Sequence, residues 1–175
     1  MKKLSDNFIQ NIAVRYLILV AVAIPNLWIF YFIFTPLTIY PVLFLLNLFY
    51  QAELAGNTIT IAGCASIEII KSCIAGSAYY LLLVLNLSVP KIKLNKRLKM
   101  ISLSFLVLLS FNILRIFLLS LLYISGNSLF DFTHWFFWYF LSTIFVVAIW
   151  FAEVRLFKIN KIPVYSDIKE ILRLR

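Results

Sequence analysis

Histidine, cysteine, glycine and acidic residues are all scarce in this chain, and each scarcity closes off a class of function. Two cysteines in 175 residues are too few for a disulfide framework and allow at most one bridge, Cys64 to Cys73. A single histidine, His134, among seven acidic residues does not make a metal site, because a bound ion needs several such ligands together. With four glycines and five prolines there is no glycine-rich phosphate loop, and no serine, histidine and aspartate arrangement stands out. Low-complexity segments and internal repeats are also missing, so the chain reads as one domain, residues 1–175.

What remains is apolar. The chain is 63% hydrophobic and 17% aromatic, with 13% charged residues and a mean hydropathy of +0.99, outside the range of soluble domains. This composition implies an integral membrane protein. The net charge of +9 would raise nucleic acid as a partner for a soluble protein. Here the basic residues instead cluster beside apolar segments. One cluster, within residues 90–99, holds Lys91, Lys93, Lys96, Arg97 and Lys99; the other, within 152–175, holds Arg155, Lys158, Lys161, Lys169, Arg173 and Arg175. Such clusters set topology, so membrane lipid and not nucleic acid is the expected surroundings.

A helix crossing about 30 Å of hydrocarbon needs about 20 residues. Five windows fit: Ile12 to Phe32, Thr38 to Tyr50 with some extension, Ile67 to Val89, Met100 to Tyr123, and His134 to Phe151. The first is long, lacks a small-residue cleavage site and runs into further membrane sequence, unlike a removable signal peptide. The second is short and carries Pro36 and Pro41. The expected fold is therefore an all-α polytopic membrane protein of about five spans. A short extended or hairpin segment, NTITIAGCASIEII after the Gly56-Asn57 turn signal, precedes the third span on the outer side. Both basic clusters belong in the cytoplasm by the positive-inside rule, as a basic loop 90–99 and a basic tail 152–175. Counting back puts the N-terminus outside; if Lys2 and Lys3 decide otherwise, the second segment is re-entrant or interfacial.

With these windows, three unusual side chains fall in the outer leaflet. Arg115 lies roughly 12 Å below the outer end of its span, Cys73 is six residues into the third, and His134 opens the fifth. An arginine at helix centre costs about 2.5 to 3.5 kcal/mol on insertion scales, so it is expected to face the bundle interior or a polar cavity. Asn112, three residues earlier, shares its face. Cys73 follows Ser72, a potential helix cap, and a thiol in a first helical turn feels the positive end of the dipole. The small residues Ala75, Gly76, Ser77 and Ala78 permit close approach by another backbone. Cys64 is the weaker of the two thiols. Thiolate, imidazole and guanidinium together form an acyl-transfer set, with Cys73 attacking a carbonyl, His134 moving protons and Arg115 stabilising the oxyanion.

These residues resemble the exosortase and archaeosortase family of membrane transpeptidases. The resemblance rests on the outer stretch leading to a cysteine helix, GNTITIAGCASIEIIKSCIAGSAYYLLL, on NILRI, and on the histidine in DFTHWFF, and covers roughly Tyr40 to Trp150. The short chain is most similar to the archaeal-type members, although its glycine follows the cysteine one residue later than usual, in Cys73-Ile74-Ala75-Gly76. The resemblance implies catalytic roles for Cys73, Arg115 and His134; Asn112, on the same helix face as Arg115, is expected in support, and no cofactor is expected. It also implies protein substrates with a C-terminal transmembrane sorting signal, a lipid or envelope acceptor, and a multi-pass plasma-membrane enzyme acting near the extracytoplasmic face. An intramembrane cysteine hydrolase would share the chemistry and differ in the acceptor.

Two blander readings stand beside this one. Cys73 has the profile of a small buried hydrophobe. Arg115 fits a structural pair with Glu68, Asp131 or a backbone carbonyl, in a non-enzymatic transporter component or assembly scaffold where it holds the fold or an anionic ligand.

Overall fold

The computed structural model describes residues 2–61, 65–90, 92–137, 140 and 142–159. Cys64 and the basic residues Lys91, Lys161, Lys169, Arg173 and Arg175 lie outside them. In chain order the elements are α1 (Lys2–Ala23), α2 (Trp28–Asn47), β1 (Ala52–Ala55), β2 (Thr58–Ile61), β3 (Ala65–Glu68), α3 (Lys71–Ile74), α4 (Gly76–Leu87), α5 (Leu94–Ile124), α6 (Phe130–Phe136) and α7 (Ser142–Leu156). The three strands form an antiparallel meander in the order β1-β2-β3, turning first at Gly56-Asn57. The turn signal and the extended segment were legible beforehand; β1, which precedes the turn, was not anticipated.

Helix α5 is the axis of the molecule and packs against α2, α3, α4, α6 and α7. No glycine or proline interrupts its 31 residues. Its buried positions, Met100, Ser104, Leu108, Asn112, Ile116 and Ser120, fall every four residues and so form one ridge facing the other helices. A left-handed Gly126 stops it: the N–H groups of Gly126 and Asn127 turn back to the carbonyls of Tyr123 and Leu122, the paired closure of a Schellman end.

Among the described residues two helices, α2 and α5, are long and apolar enough to cross a membrane. The five apolar windows of the sequence do not each form one such helix. The window Ile12 to Phe32 is divided by a turn at residues 24–27, where Pro25 precedes two left-handed residues, Asn26 and Leu27, so its last five residues belong to α2. Helix α2 then continues through Pro36 and Pro41, absorbing much of the second window. The third window breaks at Ala75, where φ is 59° and ψ 38°, leaving α3 and α4 as separate helices. The fifth is shared between α6 and the 15-residue α7. The expected basic loop is also partly helical, since Lys96, Arg97 and Lys99 occupy the opening turns of α5.

The core is built where α2, α4 and α5 meet. Phe34 stacks on Tyr79 with ring centroids 3.7 Å apart, and Phe105 meets Tyr79 edge-on at 5.4 Å. Gly76 lets α2 come close: a Cβ there would stand 2.8 Å from the ring of Tyr31. Toward the far end of α4, Arg97 is buried and donates to the carbonyls of Leu87 at 2.8 Å and Val89 at 2.7 Å, while Arg15 also donates to Leu87 at 2.9 Å. The Leu87 carbonyl ends α4 and has no partner within it, and Val89 lies just beyond. Beside them, buried Asn86 donates to buried Glu153 at 3.0 Å, tying α4 to α7. The outer faces, by contrast, carry exposed Leu17, Phe32, Phe44, Leu106, Leu118 and Phe151.

Because Phe34 sits in this aromatic stack at 6% exposure, Phe34→Ala should destabilise the fold by about 3 kcal/mol through lost packing and a cavity. Thermal unfolding in detergent reads the change; an unaltered midpoint would mean that the stack contributes little.

Candidate functional site

The break between α3 and α4 is the starting point of the site. Alanine has no preference for the left-handed conformation that Ala75 adopts, which costs about 1 to 2 kcal/mol for a residue with a Cβ. It also strands the carbonyls of the short helix before it. Helix α5 supplies donors at that place. The Asn112 amide donates to the Cys73 carbonyl at 2.9 Å, and the Arg115 guanidinium donates to the same oxygen at 3.2 Å. Their spacing of three residues puts both on one face of α5, so a single carbonyl receives two bonds. Arg115 also donates to the Ser142 hydroxyl at 3.0 Å, and Ser142 in turn donates to the Phe137 carbonyl at 2.8 Å, which fastens the start of α7 to the same point.

Arg115 thus faces the protein interior, half-buried, and its partners are neutral oxygens, not Glu68 or Asp131. Of the alternatives considered for its pairing, the backbone carbonyl is the one found. A guanidinium has five N–H donors. Two serve Cys73 and Ser142, and the buried Nε has no partner among the described residues.

Cys73, Arg115 and His134 line one cavity of about 250 Å³. The end of β3 and the residues after it, Ser66 to Ile70, form one wall; Ile116, Leu119, Ser120 and Tyr123 of α5 form another; Phe130, His134 and Phe137 complete it. The Cys73 thiol is free and half-buried. His134 is half-buried in the last turn of α6, its ring stacked on Phe130 at 5.5 Å and 9°. The strand β3 matters here because it delivers Glu68 and Ser66 to the rim. A small cavity with a thiol, an imidazole and a guanidinium on its wall can accept an acyl group of modest size.

Two local expectations do not hold. Ser72 does not cap the cysteine helix: the capping position is Ile70, without a side-chain bond, and the Cys73 N–H donates to the Ile70 carbonyl. With four residues, α3 is also too short to develop much dipole. What holds Cys73 is therefore the pair of donors from α5. Ser142 went unnoticed in the sequence, which offers no signal for it 27 residues from Arg115. Lys71 could have been found by the argument applied to Arg115, since it too is a cation inside an apolar window.

Among the described residues no three of histidine, cysteine, aspartate and glutamate stand together as a metal site. Compared with protein-family models, with curated proteins and with solved structures, the chain matches none.

Replacing Asn112 by leucine keeps the volume but removes one of the two donors to Cys73, a loss of about 1 kcal/mol that loosens α3. In a Cys64→Ala background, Asn112→Leu should raise the maleimide labelling rate of Cys73 several-fold. An unchanged rate would show that Arg115 alone holds the segment.

Proposed function

We propose that this protein is a membrane-embedded cysteine peptidase or transpeptidase that cleaves C-terminal sorting signals of secreted or surface proteins and passes them to a lipid or envelope acceptor. The observation that carries the reading is the single cavity lined by Cys73, Arg115 and His134. The exosortase-like order of the motifs supports it. The exposed apolar faces and the two long apolar helices support a place in the membrane, where a substrate that is itself a helix can reach the site laterally. On this reading α1, the α3–α4 segment and α6–α7 complete a multi-pass bundle in the plasma membrane. The basic residues at the start of α5 are cytoplasmic, and the sheet and the cavity are extracytoplasmic.

The chemistry runs in two halves. His134 takes the thiol proton as the Cys73 sulfur attacks the scissile carbonyl, and the oxyanion forms against the remaining donors of Arg115. The carbon–nitrogen bond then breaks, the imidazolium gives its proton to the leaving amine, and a thioester remains on Cys73. An acceptor hydroxyl or amine next loses its proton to His134 and attacks the thioester, releasing the thiol. If water is the acceptor, the product is a free carboxylate.

A second reading has its own observation. Arg115 already bonds the Cys73 carbonyl and Ser142, as a purely structural arginine in a scaffold or transporter component would.

The two readings separate on Cys73. In cells co-expressing a tagged substrate that ends in a short motif, one apolar helix and a basic cluster, Cys73→Ala and His134→Ala should each reduce processing by more than a hundredfold, with Cys64→Ala tolerated. Processing that persists in Cys73→Ala removes the nucleophile and leaves the scaffold reading. Mass spectrometry of the product C-terminus distinguishes transfer from hydrolysis.

A further inference from the structure

Arg115 also lines a second cavity, of about 470 Å³, which the chemistry at Cys73 does not use. Its polar lining is Tyr31, Lys71, Ser72, Ser77, Arg115 and Ser142; the remaining wall is Ala75, Gly76 and Ala78, and none of these residues is acidic. Two cations therefore share one space with no carboxylate among its described lining residues. Lys71, Ser72 and Ser77 are exposed at its mouth, and the Lys71 ammonium stands 5.7 Å from the centre of the Tyr31 ring. Deeper in, Arg115 brings a guanidinium whose Nε is buried and unpartnered among the described residues.

Like charges that line one cavity repel, and an anion bound there relieves that cost while collecting charge-assisted hydrogen bonds. The lining combines an ammonium, a guanidinium and the hydroxyls of Tyr31, Ser72, Ser77 and Ser142, more donors than the two oxygens of a carboxylate can use. A phosphate group, with more oxygens and more charge, uses them more fully, with lysine serving as a point charge and arginine as the directional donor. The volume exceeds that of a bare ion and leaves room for the alcohol part of an ester.

We propose that this second cavity binds a phosphate group, carried either by a lipid headgroup or by a soluble phosphate. The site stands whether or not Cys73 reacts. Because Arg115 lines both cavities, an anion bound here competes for the guanidinium that also holds the Cys73 carbonyl. Occupancy of one cavity is thereby felt in the other.

The test uses the full chain purified in a neutral maltoside detergent, with the unfolding midpoint titrated against inorganic phosphate and, separately, against phosphatidylglycerol in mixed micelles. Diacylglycerol, which lacks the phosphate, is the control. Wild type should be stabilised by at least one phosphate-bearing probe and not by diacylglycerol; stabilisation by the lipid alone assigns a headgroup, and by inorganic phosphate a soluble source. Lys71→Gln should weaken binding about tenfold, the loss of one charge-assisted contact, and Ser77→Asp should abolish it by placing an acid in the cavity. Both positions are exposed, and circular dichroism verifies that the variants fold. No phosphate-dependent stabilisation of wild type, or equal dissociation constants in wild type and both variants, overturns the proposal. Neither outcome bears on processing by Cys73, which is read separately.

Discussion

The Cys73 carbonyl is the point from which the rest of the architecture can be understood. A helix broken at Ala75 has to place its last carbonyls somewhere, and an arginine in an apolar helix has to find acceptors. Each need answers the other. The cost of the left-handed alanine is offset by two hydrogen bonds from Asn112 and Arg115, and the cost of carrying a guanidinium in α5 is offset by the carbonyl that the break exposes. Removing either half would leave the other as an uncompensated polar group in a dry environment.

The opposite end of the same segment is fastened in a similar way. Arg97 donates to the carbonyls of Leu87 and Val89 as α4 ends, so α5 grips the α3–α4 segment with an arginine at each end, 18 residues apart. Between them the contact is apolar and aromatic, around Tyr79, Phe34 and Phe105. Polar anchors at the two ends fix register, and close packing in the middle supplies attraction that does not depend on water being excluded. The Asn86 to Glu153 bond extends the lower anchor to α7.

How much of this was legible beforehand depends on how few options each residue had. Arg115 was readable because a charge in an apolar helix must turn inward to an acceptor, and Asn112 followed from its spacing. The hairpin was readable from Gly56-Asn57 and the alternation after it. The break at Ala75 was not, since alanine carries no left-handed preference and Gly76, the natural suspect, is helical and serves instead to admit Tyr31. Hydrophobicity also concealed the turn after Pro25, because Ile24 and Leu27 are as apolar as the helices they separate. Apolar windows mark where chain can lie in lipid, and they say little about where it bends. The buried role of Arg97 was hidden for the opposite reason: its lysine neighbours made it look like one more topological charge.

The thirty-one residues of unbroken helix in α5 measure about 46 Å, half as long again as a hydrocarbon layer of about 30 Å. A rod of that length in a bilayer must lean or project, and a single stiff element that bears both arginine anchors carries the elements it grips along with it. In a bilayer the angle of α5 would therefore set the depth of the neighbouring cavities, and a thicker or thinner layer would move them together.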